Sequence, residues 1–339
     1  MKEKKPISAK RIVLSVVAVI VAIPLLAMTF MFALRGFANI PRVKESEIPA
    51  SDNAYIVSET LMSAHRAGRK TAPENTMAAF SKCIDIMETE GYVIDILEFD
   101  LQLTKDERLV LLHDDTLDRT SNCEEVEGFG KDSKVIDHTL EELKTLEMWH
   151  DYDGTDFEEG EARICTLEEV FDYVITEKGY VDMRYIIEIK DSGAVGEKAM
   201  DKLYEIMVNY DVLDKVIVGT FQKNVTAYID KEYSSRGVTR SASIMEVVEF
   251  YFAFCFNADL AKKNVGYSVL QIPTDAYIFV DLGKKSVIDY AHKYGIAVQF
   301  WTINDPEEIE QLIRDGADAI MTDYPDTACA IAEKLKNKA

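Results

Sequence analysis

Residues 97–113 read Leu-Glu-Phe-Asp-Leu-Gln-Leu-Thr-Lys-Asp-Glu-Arg-Leu-Val-Leu-Leu-His, and this stretch decides how the chain is organised. Leu97–Thr104 and Leu109–His113 both have the apolar alternation of strands, yet only Lys105, Asp106, Glu107 and Arg108 lie between them. Parallel neighbours need a crossover of about a dozen residues or more, so these two strands form a hairpin. Around it the alternation is different. Strand candidates at 61–65, 93–103, 185–190, 216–221, 238–243, 268–272, 297–303 and 319–322 are separated by helical patterns. Pro73-Glu74-Asn75-Thr76 opens one helix, with Met77, Phe80, Ile84 and Met87 at helical spacing. Thr139 with Glu142 and Thr166 with Glu169 read as capping boxes, and Asp305-Pro306 and Asp315-Gly316 bracket a later helix.

Eight such strands alternating with helices over residues 54–339 suit a (β/α)8 TIM barrel, for which about 250 residues is typical. A doubly wound sheet shares the alternation. Its nucleotide-binding form needs G-x-G-x-x-G after the first strand, and that motif is absent. The hairpin makes His113 part of an excursion from the second barrel strand, and residues 104–165 an insertion. The apolar stretch Ile244–Phe256 is too short to span a membrane and reads as a buried barrel helix, with a second membrane contact as the minor alternative.

Before the barrel, residues 12–34 run for 23 positions without a charge, as a transmembrane helix requires. That is longer than the h-region of a cleaved secretory leader. Lys2, Lys4, Lys5, Lys10 and Arg11 precede it, and Arg35, Arg42 and Lys44 follow. The bias favours residues 1–11 as a basic cytoplasmic tail, a single-pass cell-membrane protein and an extracytoplasmic domain. Residues 35–53 read as a stalk. The chain of 339 residues carries 38 basic and 60 acidic side chains, a net charge of −22. Such a surface repels nucleic acid, so that partner is excluded, and an anionic substrate needs local attraction. Five scattered cysteines, without C-x-x-C, give no zinc-finger spacing and leave the redox compartment open.

Glu98 and Asp100 stand two apart on a strand and so share a face, as do Glu188 and Lys190 in Ile186-Ile187-Glu188-Ile189-Lys190. On barrel strands that face is the interior or the mouth. Adjacent carboxylates there repel unless a cation or proton is shared, and three of them suit Mg²⁺ or Ca²⁺. The plainer alternative is an interior ion pair of Lys190 with one acid. His65, followed by Arg66, and His113, followed by Asp114 and Asp115, end strands at the same presumed mouth. His138, His150 and His292 have no assigned role. Two imidazoles, a metal, Arg66 and Lys190 together suit phosphoester cleavage.

These residues carry a resemblance. SAHRAGRKTAPENTMAAF, LEFDLQLTKDERLVLLHDDTLDRTSN, IIEIK, FWTINDP and MTDYP follow one another between about residues 60 and 326 and resemble the glycerophosphodiester phosphodiesterase family. The resemblance implies a TIM barrel, one divalent cation on Glu98, Asp100 and Glu188, and catalytic histidines at His65 and His113. It also implies phosphate contacts from Arg66 and Lys190, and Trp301 lining the mouth. Two positions depart from the family: Ala67 stands where Gly is usual after His-Arg, and Thr220-Phe221 replaces Ser-Phe. The implied reaction cleaves a glycerophosphodiester to glycerol 3-phosphate and an alcohol. A lysophospholipase D or sphingomyelinase D-like activity on lysophospholipid is the enzymatic alternative, and an inactive phospholipid-binding module the non-enzymatic one.

Overall fold

The computed structural model describes residue 29 and residues 35–154, 160–262, 265–276 and 280–338. Among these, eight parallel strands form the wall of a barrel: β1 (Leu61–Ala64), β2 (Ile96–Leu103), β4 (Arg184–Ile189), β5 (Val216–Gly219), β6 (Thr239–Arg240), β7 (Val269–Ile272), β8 (Ala297–Phe300) and β9 (Ala319–Thr322). β1 pairs with both β2 and β9, and β8 lies between β9 and β7. The remaining gap, β6 to β7, is spanned by a parallel Ser241–Val269 bridge. Ala242 N also donates to Val269 O at 2.8 Å.

The helices follow the strands as the alternation requires. They are α1 (Met77–Asp85), α2 (Leu167–Phe171), α3 (Gly193–Asn209), α4 (Lys223–Glu232), α5 (Ile244–Cys255), α6 (Lys285–Lys293), α7 (Pro306–Asp315) and α8 (Pro325–Lys336). The Thr166–Glu169 capping box starts α2, and Thr139–Glu142 starts a single turn, Leu140–Leu143. Each satisfies two end donors that would otherwise be orphaned.

The expected hairpin is present. β3 (Leu109–Leu111) runs antiparallel to β2, with Leu101 opposite Leu111 and Leu103 opposite Leu109. The described residues between there and Ile164 close over a small core of their own, including Val110, Leu112, Leu117, Leu143, Leu146 and Met148.

Strand periodicity divides the barrel residues into two sets. Leu97, Phe99, Leu101, Tyr185, Ile187 and Ile189 join the main core, between sheet and helices. Ile96, Ile186, Ile217, Val269, Ala297 and Ala319 pack inside, with Tyr55 among them. Glu98, Asp100 and Glu188 therefore belong to the inner set.

Two expectations change. Residues 35–53 are not a free stalk: Ala38 and Val43 are buried in the main core, and Asn53 Nδ2 donates to Ser268 O and Gly295 O at 2.8 and 2.9 Å. Buried apolar and amide groups hold this segment against the barrel. Ile244–Phe256 is buried on one side only, through Phe250, Tyr251, Ala253, Phe254 and Cys255, while Ile244, Met245, Val248, Phe252 and Phe256 are exposed. A helix that is apolar all round presents half its surface outward when only one side meets the sheet. The transmembrane helix expected at 12–34 lies outside the described residues, Thr29 excepted; among the described residues no helix is long and apolar enough to cross a membrane.

Candidate active site

Asp100 on β2 and Glu188 on β4 are register partners, and Glu98 is one pleat below Asp100 on the same face. The three carboxylates stand at the wall of a cavity of about 180 Å³, together with His65, Arg66, His113, Thr220, Phe221 and Trp301. That is smaller than the roughly 300–1,000 Å³ of drug-sized ligand sites and matches a compact polar group. Lys190, two residues beyond Glu188, reaches the same acids: its Nζ is 2.8 Å from Glu188 Oε1 and 3.7 Å from Asp100 Oδ1. All eight residues singled out by the sequence thus meet in one place.

The histidines come from turns beyond the strand ends. His65 opens the turn His65–Ala67 after β1, and His113 lies two residues past β3. Each ring has a carboxylate on Nδ1: Asp323 Oδ1 at 2.7 Å for His65, and Asp114 Oδ1 at 2.7 Å for His113. A carboxylate there holds the proton on Nδ1 and leaves Nε2 free to exchange one. The hydrogen bond from His113, helped by Arg119, holds Asp114 far below the usual carboxylate range. Burial pushes Asp323 up, but the hydrogen bond and charge of His65, with Asn304, outweigh it and leave it lowered.

The turn that carries His65 winds left-handed, with φ of 51° at Arg66, 58° at Ala67 and 82° at Gly68. Ala67 thus occupies a conformation that suits glycine, and it is fully buried. The left-handed winding puts Arg66 N 2.7 Å from Glu98 Oε2. Arg66 Nη1 pairs with Glu74 at 2.9 Å, while its Nε is buried without a hydrogen-bond partner. Burial disfavours the Arg66 charge, but Glu74, Asp100 and Glu98 more than restore it.

Burial first, and repulsion from Asp100 second, push Glu98 well above the ordinary carboxylate range, against the Arg66 amide. Glu188 is also raised by burial and Asp100, with Lys190 opposing. Among the described residues no three His, Cys, Asp or Glu side chains converge closely enough to hold an ion. The expected three-acid cluster is open, and the ammonium of Lys190 lies beside two of its members, which is the interior ion pair that the sequence left as the alternative. The donors nevertheless fit a hard cation, because all are oxygens and two are raised by burial and by repulsion from Asp100, which a bound cation would relieve.

Several residues in the site were not singled out by sequence. Asp114 and Asp323 orient the histidines. Asn75 Nδ2 donates to Asp100 Oδ2 at 3.1 Å. Arg119 ties Asp114 (Nε–Oδ2 2.6 Å) to Glu74 (Nη2–Oε1 2.7 Å). Asp114 was signalled by its adjacency to His113. Asp323 is 258 positions from His65 and meets it only because β1 and β9 are neighbours.

The model of the glycerophosphoryl diester phosphodiesterase family matches residues 65–327. A glycerophosphodiester phosphodiesterase of Caldanaerobacter subterraneus subsp. tengcongensis is 33% identical over 279 residues, covering 81% of this chain and 99% of its own. A lysophospholipase D of Rattus norvegicus is 24% identical, covering 77% and 82%. Among solved structures, an Oleispira antarctica phosphodiesterase in complex with the product sn-glycerol-3-phosphate aligns with TM-score 0.60 at 23% identity, over 81% of this chain and 97% of that one. With most of the barrel matched by the family model and a curated relative aligned over nearly its full length, the chain belongs to the glycerophosphoryl diester phosphodiesterase family and is one of its enzymes.

Proposed function

We propose that this enzyme hydrolyses glycerophosphodiesters to glycerol 3-phosphate and an alcohol, with His65 and His113 moving the protons and Glu98, Asp100 and Glu188 holding one divalent cation, Mg²⁺ or Ca²⁺. One observation carries the reading: two imidazoles, each with its own carboxylate on Nδ1, line the same acid-floored cavity. Bound there, the cation would supply Lewis-acid stabilisation to the phosphoryl oxygens. Arg66, with a buried Nε that lacks a hydrogen-bond partner, and Lys190 donate to those oxygens. His113 Nε2 accepts the proton of the attacking hydroxyl or water, and His65 Nε2 returns one to the leaving alkoxide. Trp301, with Phe221 edge-on at 6.1 Å, forms the apolar side of the mouth.

The test is a diester panel with the full chain in detergent, with Mg²⁺, Ca²⁺ or EDTA. Activity is expected to vanish on chelation and return with one of the cations. His113→Ala is expected to lose about 10²–10⁴ in kcat, the usual worth of positioned proton transfer. Full turnover in EDTA would remove the metal from this account, and full turnover in the variant would remove the base.

Lysophospholipid is the second substrate class, favoured by the lysophospholipase D relative and by Phe221, half exposed beside Trp301, where an acyl chain finds apolar surface. Glycerophosphocholine assayed against lysophosphatidylcholine decides between them. The chargeless run at 12–34 and its five-to-three basic bias support a single membrane span with the catalytic domain outside the cytoplasm. Protease accessibility of the domain in intact cells tests that orientation.

A further inference from the structure

The exposed residues of α5 are not scattered. At 3.6 residues per turn, Ile244, Val248, Phe252, Met245 and Phe256 fall within about 120° of the helix circumference. Phe252 and Phe256 stack in parallel, 6.4 Å apart. These five residues are between 40% and 62% exposed. A contiguous apolar face of this kind marks a surface that is covered in use.

The rest of the chain indicates by what. Immediately before the described segment comes the chargeless run that ends at Leu34. Residues 35–43 are fastened to the far end of α5: Arg42 Nη2 donates to Cys255 O at 2.9 Å, and its guanidinium lies over the rings of Phe37 and Phe254. Ser286 Oγ bonds Ala38 O beside it. At the other end of α5, Ile244 and Met245 follow Ser241 and Ala242, which line the cavity. The stripe therefore runs from where residues 35–43 are held against the barrel to the rim of the active site, along a helix of roughly 18 Å.

We propose that the Ile244–Phe256 face of α5 rests on a zwitterionic lipid bilayer, laying the barrel on its side with the edge of its mouth at the membrane surface. The proposal rests on the reading of residues 12–34 as a membrane span. Charge argues for zwitterionic lipid: the stripe contains no basic residue, Glu249 borders it, and the chain carries −22 overall, so anionic headgroups would repel it. Apolar insertion of the kind made by interfacial helices, about 5–10 Å deep, is what the side chains offer. The consequence is substrate access, since a single-chain lipid leaving the bilayer along α5 meets the cavity rim directly.

All five native cysteines are buried and none forms a disulfide, so an introduced surface thiol is the one that reacts. The full chain, reconstituted in phosphatidylcholine vesicles, is labelled with an environment-sensitive fluorophore at Phe252→Cys, and separately at Met245→Cys in case one variant misfolds. Asp85→Cys on α1, which follows the first barrel strand and so stands across the barrel from α5, is the control. Quenching by lipids brominated on the acyl chains is expected to be several-fold stronger at 252 and 245 than at 85. A chain that floats with the vesicles but shows equal quenching at all three positions overturns the docking and leaves the anchor standing. A chain that does not float overturns both. Shielding at 252 that brominated lipid does not affect and that dilution removes identifies a second copy of the chain as the occupant, and also overturns the proposal.

Discussion

His65 and His113 sit in different turns, yet each has its Nδ1 fixed by a carboxylate at 2.7 Å. Proton exchange at Nε2 depends on that tautomer, so the carboxylate matters as much as the ring. Asp323→Asn keeps the shape but lets the amide donate to Nδ1, which moves the ring proton to Nε2. We expect kcat to fall by about 10²–10⁴ with KM little changed, the pattern for losing a correctly oriented base or acid. An unaltered kcat in steady-state assays would show that the His65 ring needs no orienting carboxylate. Both imidazoles were legible from the sequence because each follows an apolar strand and precedes a charged residue. Asp323 was not, since only tertiary contact gives it a partner.

At the level of elements, β3 and the insertion after it bring His113 back to the mouth, and Arg119 ties that insertion to the first turn. It bonds Asp114 and Glu74, and Glu74 also holds Arg66. The arginine thus braces one candidate catalytic histidine and one candidate phosphate contact from a position outside the cavity. Arg119→Met retains the alkyl stem and removes the brace. A drop of about tenfold in kcat is expected, equivalent to about 1.4 kcal/mol. Equal kcat in parent and variant would make the network purely structural. The hairpin itself was forced by four intervening residues, and both capping boxes began helical turns as their spacing requires. Element ends were less legible: the stretches read as strands at 216–221 and 297–303 stop at Gly219 and Phe300, because pairing rather than apolar character ends a strand.

Across the whole molecule, stability should carry a signature of the buried acids at the strand ends. Burial pushes Asp191, which accepts from Leu103 N at 2.7 Å, up to about 6, with Asp115 adding to the rise. In the unfolded chain an aspartate titrates near 3.9, so the fold binds this proton more tightly than the unfolded chain does. Its contribution is fully present below about pH 4 and is lost as pH rises through about 6. Asp191→Asn keeps an acceptor without the charge. It should be more stable than the parent at pH 7.5, by at most about 3 kcal/mol, and so melt higher, with the difference closing towards pH 4. A difference independent of pH in thermal melts would contradict this account. The sequence alone suited a TIM barrel and put Glu98 with Asp100, and Glu188 with Lys190, on shared strand faces, because strand and helix periods are local, while the roles expected of those residues came from the family resemblance. Only the tertiary structure decided that Lys190 pairs with Glu188, that Asp323 serves His65, that residues 35–53 are bound to the barrel and that one face of α5 is left open. Each of these depends on which distant segments become neighbours, and on how much of an apolar helix the sheet has room to cover.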